Sequence, residues 1–383
     1  MKKIIRASTV PISLDTFCRG TLAELNKDYE VVALSSPGAI LDKVGEREGV
    51  RTVGVKMSRR WDVIGDIVAL FKLIMIFRKE RPDMVHSMTP KAGLLCMTAA
   101  RVAKVPVRLH TFTGLVFPSS QGLKRKILRF TDKLTCRFAT HINPEGEGVM
   151  MEMMDARLTR KPLKVLGNGN VRGIDLDHYY KSLAIEEEGR LLRIRLGIKY
   201  NEFVFILIGR LVGDKGINEL ISAFDRLRNI YPDIHLILVG QAENELDPLK
   251  SKTYARMNTI RNLYVPGFQN DVRPWLAMAD ALVFPSYREG FPNVVIEAGA
   301  MGLPSIVSDI SGSREIIHDG ENGLIIPPKD EKALYKAMKR FVENPLLVRR
   351  LAMHARDMVA SRYEQGFVRK CLKDYYKKIL VSK

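Results

Sequence analysis

The apolar run Ala281-Leu282-Val283-Phe284 meets a breaker at Pro285 and a short polar loop. Phe291-Pro292-Asn293 then opens a helix-like stretch that runs to Gly302 and Pro304. Strand, loop and helix in that order build a parallel sheet and set ligands beyond the carboxyl ends of its strands. Asn293 reads as an N-cap and Gly302 as a C-terminal stop. Glu289 lies in the loop and Glu297 about one turn into the helix, so both can face one crevice. N–H groups at a helix start suit a phosphate, and two flanking carboxylates suit the hydroxyls of a sugar nucleotide. Two solvated glutamates on an ordinary crossover fit the same spacing equally well.

The alternation recurs along the whole chain of 383 residues, long enough for two domains. Strands are expected at Lys3–Val10, Tyr29–Leu34, Val50–Val55, Met84–His86, Val107–His110 and Thr140–Asn143. Helices are expected over Thr16–Asn26, Trp61–Arg78 and Lys91–Ala103, with another starting at Pro144. The helix from Trp61 carries Ile64, Ile67, Val68, Phe71, Ile74 and Met75 at spacings of three and four. A second strand series follows at Phe203–Gly209, His235–Val239, Asn262–Val265, Ala281–Phe284, Leu303–Val307 and Leu324–Ile326. The expected fold is α/β, two doubly wound halves, residues 1–170 and residues 171–362, followed by the tail 363–383. Right-handed crossovers place the strand-to-helix loops of each half at one sheet edge.

Charge separates the halves. Residues 1–170 hold 29 basic and 16 acidic side chains, residues 171–362 hold 26 and 25, and residues 363–383 hold 6 and 2. A basic half implies an anionic partner. No nucleic-acid-binding motif accompanies it, which favours an anionic membrane surface over nucleic acid. The densest basic segment, Gly122–Arg137, sets Lys124, Arg125, Lys126, Arg129, Lys133 and Arg137 among Ile127, Leu128 and Leu134 at helical spacing. That suits an amphipathic helix on a membrane, or a surface helix packing one stripe on its own sheet. The apolar run Ile64–Phe77 is too short to span a bilayer and is broken by Asp66 and Lys72. The N-terminus reads as a first strand rather than a signal peptide. Cys18, Cys96, Cys136 and Cys371 lack metal spacing and read as reduced cytosolic thiols. Asp175-Leu176-Asp177 sits in a linker and is not read as a metal site, and Gly167–Gly173 lacks dinucleotide-loop spacing.

Glu289 through Glu297 resembles the Glu, seven residues, Glu signature of glycosyltransferase family 4. Gly209-Arg210-Leu211 followed by Lys215-Gly216 resembles that family's second signature. Lys91–Gly169, with HTFTGLVFP at residues 110–118 and KVLGNGN at residues 164–170, resembles bacterial capsule and O-antigen members. The resemblance implies the GT-B fold: two Rossmann-like domains facing across a cleft, with the C-terminal helix returning to the first. It implies retaining transfer of a sugar from a nucleotide diphosphate donor, with uridine as the expected base. Glu297 would hold the ribose, Arg210 and Lys215 the diphosphate, with Gly209 beside them, and Gly267 and Phe268 the base. Glu289, with Gly290, Phe291, Pro292, Asn293 and Val294, would hold the sugar. His110 would contact the transferred sugar. His86 is a second strand-end histidine, able to reach substrate or to sit buried and satisfied.

The family's Gly-Gly pair is missing from the loop expected at Pro11–Phe17, which leaves that loop's diphosphate contact open, and Gly20 is expected inside the following helix. Gly114–Gln121 is expected to be an acceptor loop. No metal and no cofactor are called for. The implied acceptor is a polyprenyl-diphosphate-linked sugar, which places the enzyme in the cytoplasm, peripheral at the inner face of a bacterial membrane. A nucleotide-sugar epimerase on the same fold, or a basic non-enzymatic membrane-surface protein, is the rival reading.

Overall fold

The computed structural model describes residues 1–59, 62–243 and 247–381. Trp61, the expected start of one helix, and the last two residues of the tail lie outside them. The chain divides into two compact units: Met1–Gly173 with the tail from Gln365, and Ile174–Glu364.

In the first unit the strands are β1 (Lys3–Ala7), β2 (Glu30–Ser35), β3 (Arg51–Gly54), β4 (Met84–Met88), β5 (Val107–Phe112) and β6 (His141–Pro144). They pair in parallel in the order β3-β2-β1-β4-β5-β6. The sheet is covered on both faces, so its strands are apolar on both. Ile5, Ala7 and Val85 pack with the helices Val63–Glu80, Pro90–Val102 and Gly122–Phe138. Ile4, Met84 and Leu109 pack with the N-terminal helices and with the C-terminal helix Gln365–Val381. That last helix buries Leu372, Tyr376, Ile379 and Leu380, a stripe of period 3.6.

In the second unit the strands are β7 (Phe203–Ile208), β8 (Ile234–Val239), β9 (Leu263–Gly267), β10 (Ala281–Phe284), β11 (Ser305–Ser308) and β12 (Gly323–Ile326). Their order, β9-β8-β7-β10-β11-β12, repeats that of the first sheet. Each sheet therefore reverses direction between its first and fourth strands, the place where doubly wound folds bind ligands.

Several local expectations change. Pro11–Phe17 is a helix, not a loop: Pro11 at its first turn has the fixed φ that starts one. The single helix expected over Thr16–Asn26 is two, broken at Gly20, whose φ is +69°. A Cβ there would stand 2.2 Å from an Arg369 Nη. Pro144 ends β6, and the next helix begins at Glu147. Asn293 is the first helical residue, and Pro292 caps it with no side-chain bond. The strands β4 and β5 each run two residues past the expected end, so His86 and His110 sit inside strands rather than at their tips.

The helix Val63–Glu80 is oriented against its own pattern. Ala69, Leu73 and Phe77 bury it. Of the stripe that marks it in the sequence, Ile74 packs on the core and the rest faces solvent: Ile64 is 79% exposed, Phe71 63% and Met75 62%, with Ile67, Val68 and the neighbouring Val63 beside them.

Candidate active site

In the second unit the strand ends are tied through bare backbone. The Gly209 N–H donates to the Val239 carbonyl (2.9 Å) and the Gly240 N–H to that of Gly267 (3.0 Å). A Cβ on Gly240 would stand 1.8 Å from the Gly209 oxygen. Arg210 reaches Glu243 at 2.7 Å, on the loop after β8. A short 3-10 turn, Gly213–Lys215, follows. The Asp247 carboxylate accepts from the Asp214 N–H at 2.6 Å, and its carbonyl from the Gly213 N–H at 3.1 Å.

Gly216 then brings the loops of β7 and β10 together. Its φ is +70°, and a Cβ would lie 2.1 Å from the Pro285 carbonyl oxygen. A side chain is excluded on both counts. Through this contact Lys215 meets Glu289 in an ion pair whose side chains are only 13% and 18% exposed. Ser286 Oγ donates to Glu289 Oε1 at 2.9 Å, and Lys215 Nζ lies 5.2 Å from the centre of the Phe284 ring. Asp214 pairs with Arg288 at 2.7 Å, and its Oδ1 is buried without a partner. The Tyr287 hydroxyl donates to Glu219; burial, then that bond, pushes its pKa up.

The helix Asn293–Ala300 starts beside this pair. The loop after β11 presses on its entry: at Gly312 (φ +75°) a Cβ would stand 2.3 Å from the Gly290 oxygen. The helix ends as the sequence implies. Gly302 has φ +72°, the Leu303 N–H donates to the Ala298 carbonyl (2.9 Å), and the Gly302 N–H to that of Gly299 (2.8 Å). This is a Schellman cap. Phe291 and Pro292 are buried, and the Phe291 ring meets Tyr363 edge-on at 5.4 Å. From Gly290 to Val294 the main chain is therefore the part suited to a ligand. Glu297 is half-buried one turn further on, Gly267 is half-buried at the end of β9, and Phe268 is 64% exposed.

The two candidate histidines of the first unit, His86 and His110, face opposite sides of their sheet. His110 packs on the helix Pro90–Val102 at Gly93, where a Cβ would stand 2.4 Å from the ring Cε1. Its Nδ1 shares a hydrogen bond with Ser87 Oγ at 2.8 Å. Burial pushes its pKa down to about 3, so the imidazole is neutral at pH 7. His86 faces the C-terminal helix. It is bonded to Arg6 and to the Tyr376 hydroxyl, and its Nε2 meets Thr111 Oγ1 at 2.7 Å. Burial, then the charge of Arg6, holds its pKa well below the ordinary histidine value. The cavity beside it, lined by Arg6, Thr111, Asn143 and Glu145, has about 20 Å³ of free room. That suits one water, not a sugar.

Lys215 and Glu289 are thus in contact, and Arg210 is held by Glu243 instead. Sequence reasoning missed Ser286, Asp247 and Glu243. No motif names them; only the folded loops bring them in. Among the described residues no group of three or more His, Cys, Asp or Glu is placed to hold a metal ion. Asp175 instead accepts from the N–H groups of Asp177 (3.1 Å) and His178 (3.0 Å), closing a turn.

A family model described as "Glycosyl transferases group 1" matches residues 190–358, and one described as "Glycosyl transferase 4-like domain" matches residues 15–169. An Escherichia coli protein named UDP-Gal:alpha-D-GlcNAc-diphosphoundecaprenol alpha-1,3-galactosyltransferase is 30% identical over 76% of this chain and 74% of its own length. This chain belongs to glycosyltransferase family 4. The group 1 match of residues 190–358 contains every loop just described for the second unit, and the match of residues 15–169 contains His86 and His110. This glycosyltransferase is also similar, at 28% identity over 99% of its length and 98% of the relative's, to the capsular polysaccharide biosynthesis glycosyltransferase CapM of Staphylococcus aureus. Its fold is GT-B: the crystal structure of Anabaena HepE with UDP-glucose covers 99% of the chain and 100% of its own with a TM-score of 0.82, at 20% identity. Among the described residues no helix is long and apolar enough to cross a membrane.

Proposed function

We propose that this glycosyltransferase moves a hexose or N-acetylhexosamine from a UDP-sugar to a polyprenyl-diphosphate-linked saccharide at a membrane surface, for capsule or O-antigen assembly, with retention of configuration. The observation that carries the reading is the Lys215–Glu289 pair, held at the β7/β10 reversal by Gly216 and Ser286. A cation and a carboxylate side by side match a ligand whose phosphate adjoins a sugar. The names of the E. coli relative, which specifies UDP-galactose and a diphosphoundecaprenol acceptor, and of the HepE complex support the donor and the lipid.

On this reading Lys215 and Arg210 stabilise the charge that builds on the diphosphate as the bond from the anomeric carbon to its oxygen breaks. Glu289 and the main chain of Gly290–Val294 grip the sugar hydroxyls, Glu297 the ribose, and Gly267 and Phe268 the base. Gripping hydroxyls does not aim Glu289 at the anomeric carbon. The acceptor hydroxyl therefore attacks from the leaving-group face, and its proton passes to the departing phosphate oxygen. His110, neutral and steered by Ser87, contacts the transferred sugar.

The test is UDP release from a panel of UDP-sugars, with and without membrane extract carrying lipid-linked saccharide, for the wild type and Glu297→Ala. Release that needs the extract and is lost in the variant is expected. Equal release without extract would overturn the lipid acceptor. No release and no donor binding by calorimetry would overturn the donor site.

A further inference from the structure

The outward stripe of the helix Val63–Glu80 is exposed and meets no partner among the described residues. At 100° per residue, Val63, Ile64, Ile67, Val68, Phe71 and Met75 span about 140° of the helix surface, opposite the buried Ala69, Leu73 and Phe77. Such a contiguous apolar ridge on a water-facing helix marks an interaction surface. The helix Pro90–Val102 packs between it and the basic helix Gly122–Phe138 on the same side of the sheet.

The charge around the ridge is of one sign. Lys72, Arg78 and Lys79 are exposed on its own helix, and Lys124, Arg125, Lys126, Arg129, Lys133 and Arg137 on the basic helix, where Leu123 and Phe130 are exposed among them. The acids of these helices are engaged or inward. Asp62 caps the Gly65 N–H (2.9 Å), Asp66 pairs with Lys91 (2.9 Å), Glu80 with Lys3 (3.0 Å) and Arg51 (2.6 Å), and Asp132 is buried. Past the end of the ridge, Arg78, Arg81 and Lys104 line a cleft of about 350 Å³ with Asp83, whose carboxylate accepts from the Lys3 N–H at 2.8 Å.

We propose that this helix lies in an anionic bilayer surface, with Ile64, Ile67, Val68, Phe71 and Met75 entering the acyl boundary. The basic side chains of this helix and of Gly122–Phe138 meet the headgroup phosphates. Apolar burial and anionic attraction together are what bind an interfacial helix. A protein partner would need complementary acids around an apolar groove; a lipid surface supplies both by its nature. The inference rests on the reading that the acceptor is carried in a bilayer, and it names the part of the enzyme that reaches it.

The experiment compares the wild type with Ile64→Ser/Phe71→Ser/Met75→Ser in co-sedimentation with phosphatidylglycerol-containing vesicles, without sugar nucleotide. All three positions are exposed, so the thermal unfolding midpoint is expected to hold. Vesicle affinity is expected to fall at least about tenfold, and the residual binding to be lost when salt screens the basic side chains. In Phe71→Trp, brominated acyl chains are expected to quench fluorescence beyond that of the wild type. Unchanged affinity of the triple variant, or no added quenching, would overturn the proposal. So would a wild-type dimer that does not bind vesicles and that the triple variant dissociates, since a second copy would then cover the ridge. Transfer to detergent-dispersed acceptor is measured separately. Its absence in both proteins would strike the proposed reaction and leave the vesicle result to judge the helix.

Discussion

The two sheets share one strand order and differ in what occupies their reversal points. At β1/β4 the space is filled from within the unit. Arg6 and His86 lean on Tyr376 of the C-terminal helix, Thr9 and Thr89 bond each other at 2.8 Å, and the cavity left is about 20 Å³. At β7/β10 the loops bring a cation and a carboxylate together, both mostly buried but not sealed, on glycine backbone that admits no side chain. One topology therefore yields a packed polar cluster in one unit and a partly exposed ion pair, the donor site proposed above, in the other. Topology supplies the location, and the side chains decide its use.

The largest expected effect tests the open side of that contrast. Lys215→Met should lower the transfer rate by about 10²–10³-fold, the range seen when one group that stabilises a developing anion is removed. Its cost in chemical denaturation should be far smaller, because Ser286 still bonds Glu289 and the loop contact at Gly216 is main chain. A rate within tenfold of the wild type would mean that Lys215 is structural, and the two reversal points would then be alike.

Much of this was legible in the residues. The parallel alternation, the placement of Ala281–Phe284 as a strand and the stop at Gly302 follow from apolar runs and breakers, and the structure has them. What stayed hidden depends on contacts distant in sequence. His86 and His110 look alike as strand-end histidines. Only the pairing of β4 with β5, and the return of a helix from the far end of the chain, puts one on Tyr376 and the other on Gly93. The helix Val63–Glu80 shows a limit of periodicity itself. A stripe of spacing three and four says that a helix forms, but not which face the protein keeps. Here the face of Ala69, Leu73 and Phe77 went inward, with Leu70, Ile74 and Ile76 packed at its edges. Ser286 and Asp247 are common loop residues until the fold sets them beside Glu289 and Asp214.

The next effect tests the sealed side. Tyr376 is fully buried, and its hydroxyl accepts from Arg6 Nη1 at 2.8 Å while bonding His86 Nδ1. Tyr376→Phe keeps the ring and removes one hydrogen bond from each of two buried partners, which should cost about 1–3 kcal/mol in denaturant unfolding. Donor affinity, measured by calorimetry on the folded protein, should not move. A variant as stable as the wild type but weakened toward donor would turn the first reversal point into a binding site and break the contrast.

The smallest effect concerns the helix that does the sealing. Lys373 ties it to the N-terminal helices through Glu24 at 3.0 Å and Asp28 at 2.7 Å. The hydrogen bond to Lys27, then that to Lys373, holds the Glu24 pKa down at about 2. An unfolded glutamate titrates near 4.3, so the unfolded chain binds the extra proton between these values. The stabilisation is thus complete above about pH 4.3 and lost as pH falls through about 2. The carboxylate is partly exposed, so screening limits the pair to less than about 1 kcal/mol. Lys373→Met should be less stable than the wild type by that small margin at pH 7 and low salt, and the gap should narrow with added salt and below about pH 4.3. A gap that held at low pH would show that the aliphatic stem of Lys373 matters more than its charge. The helix would then seal the β1/β4 reversal by packing alone.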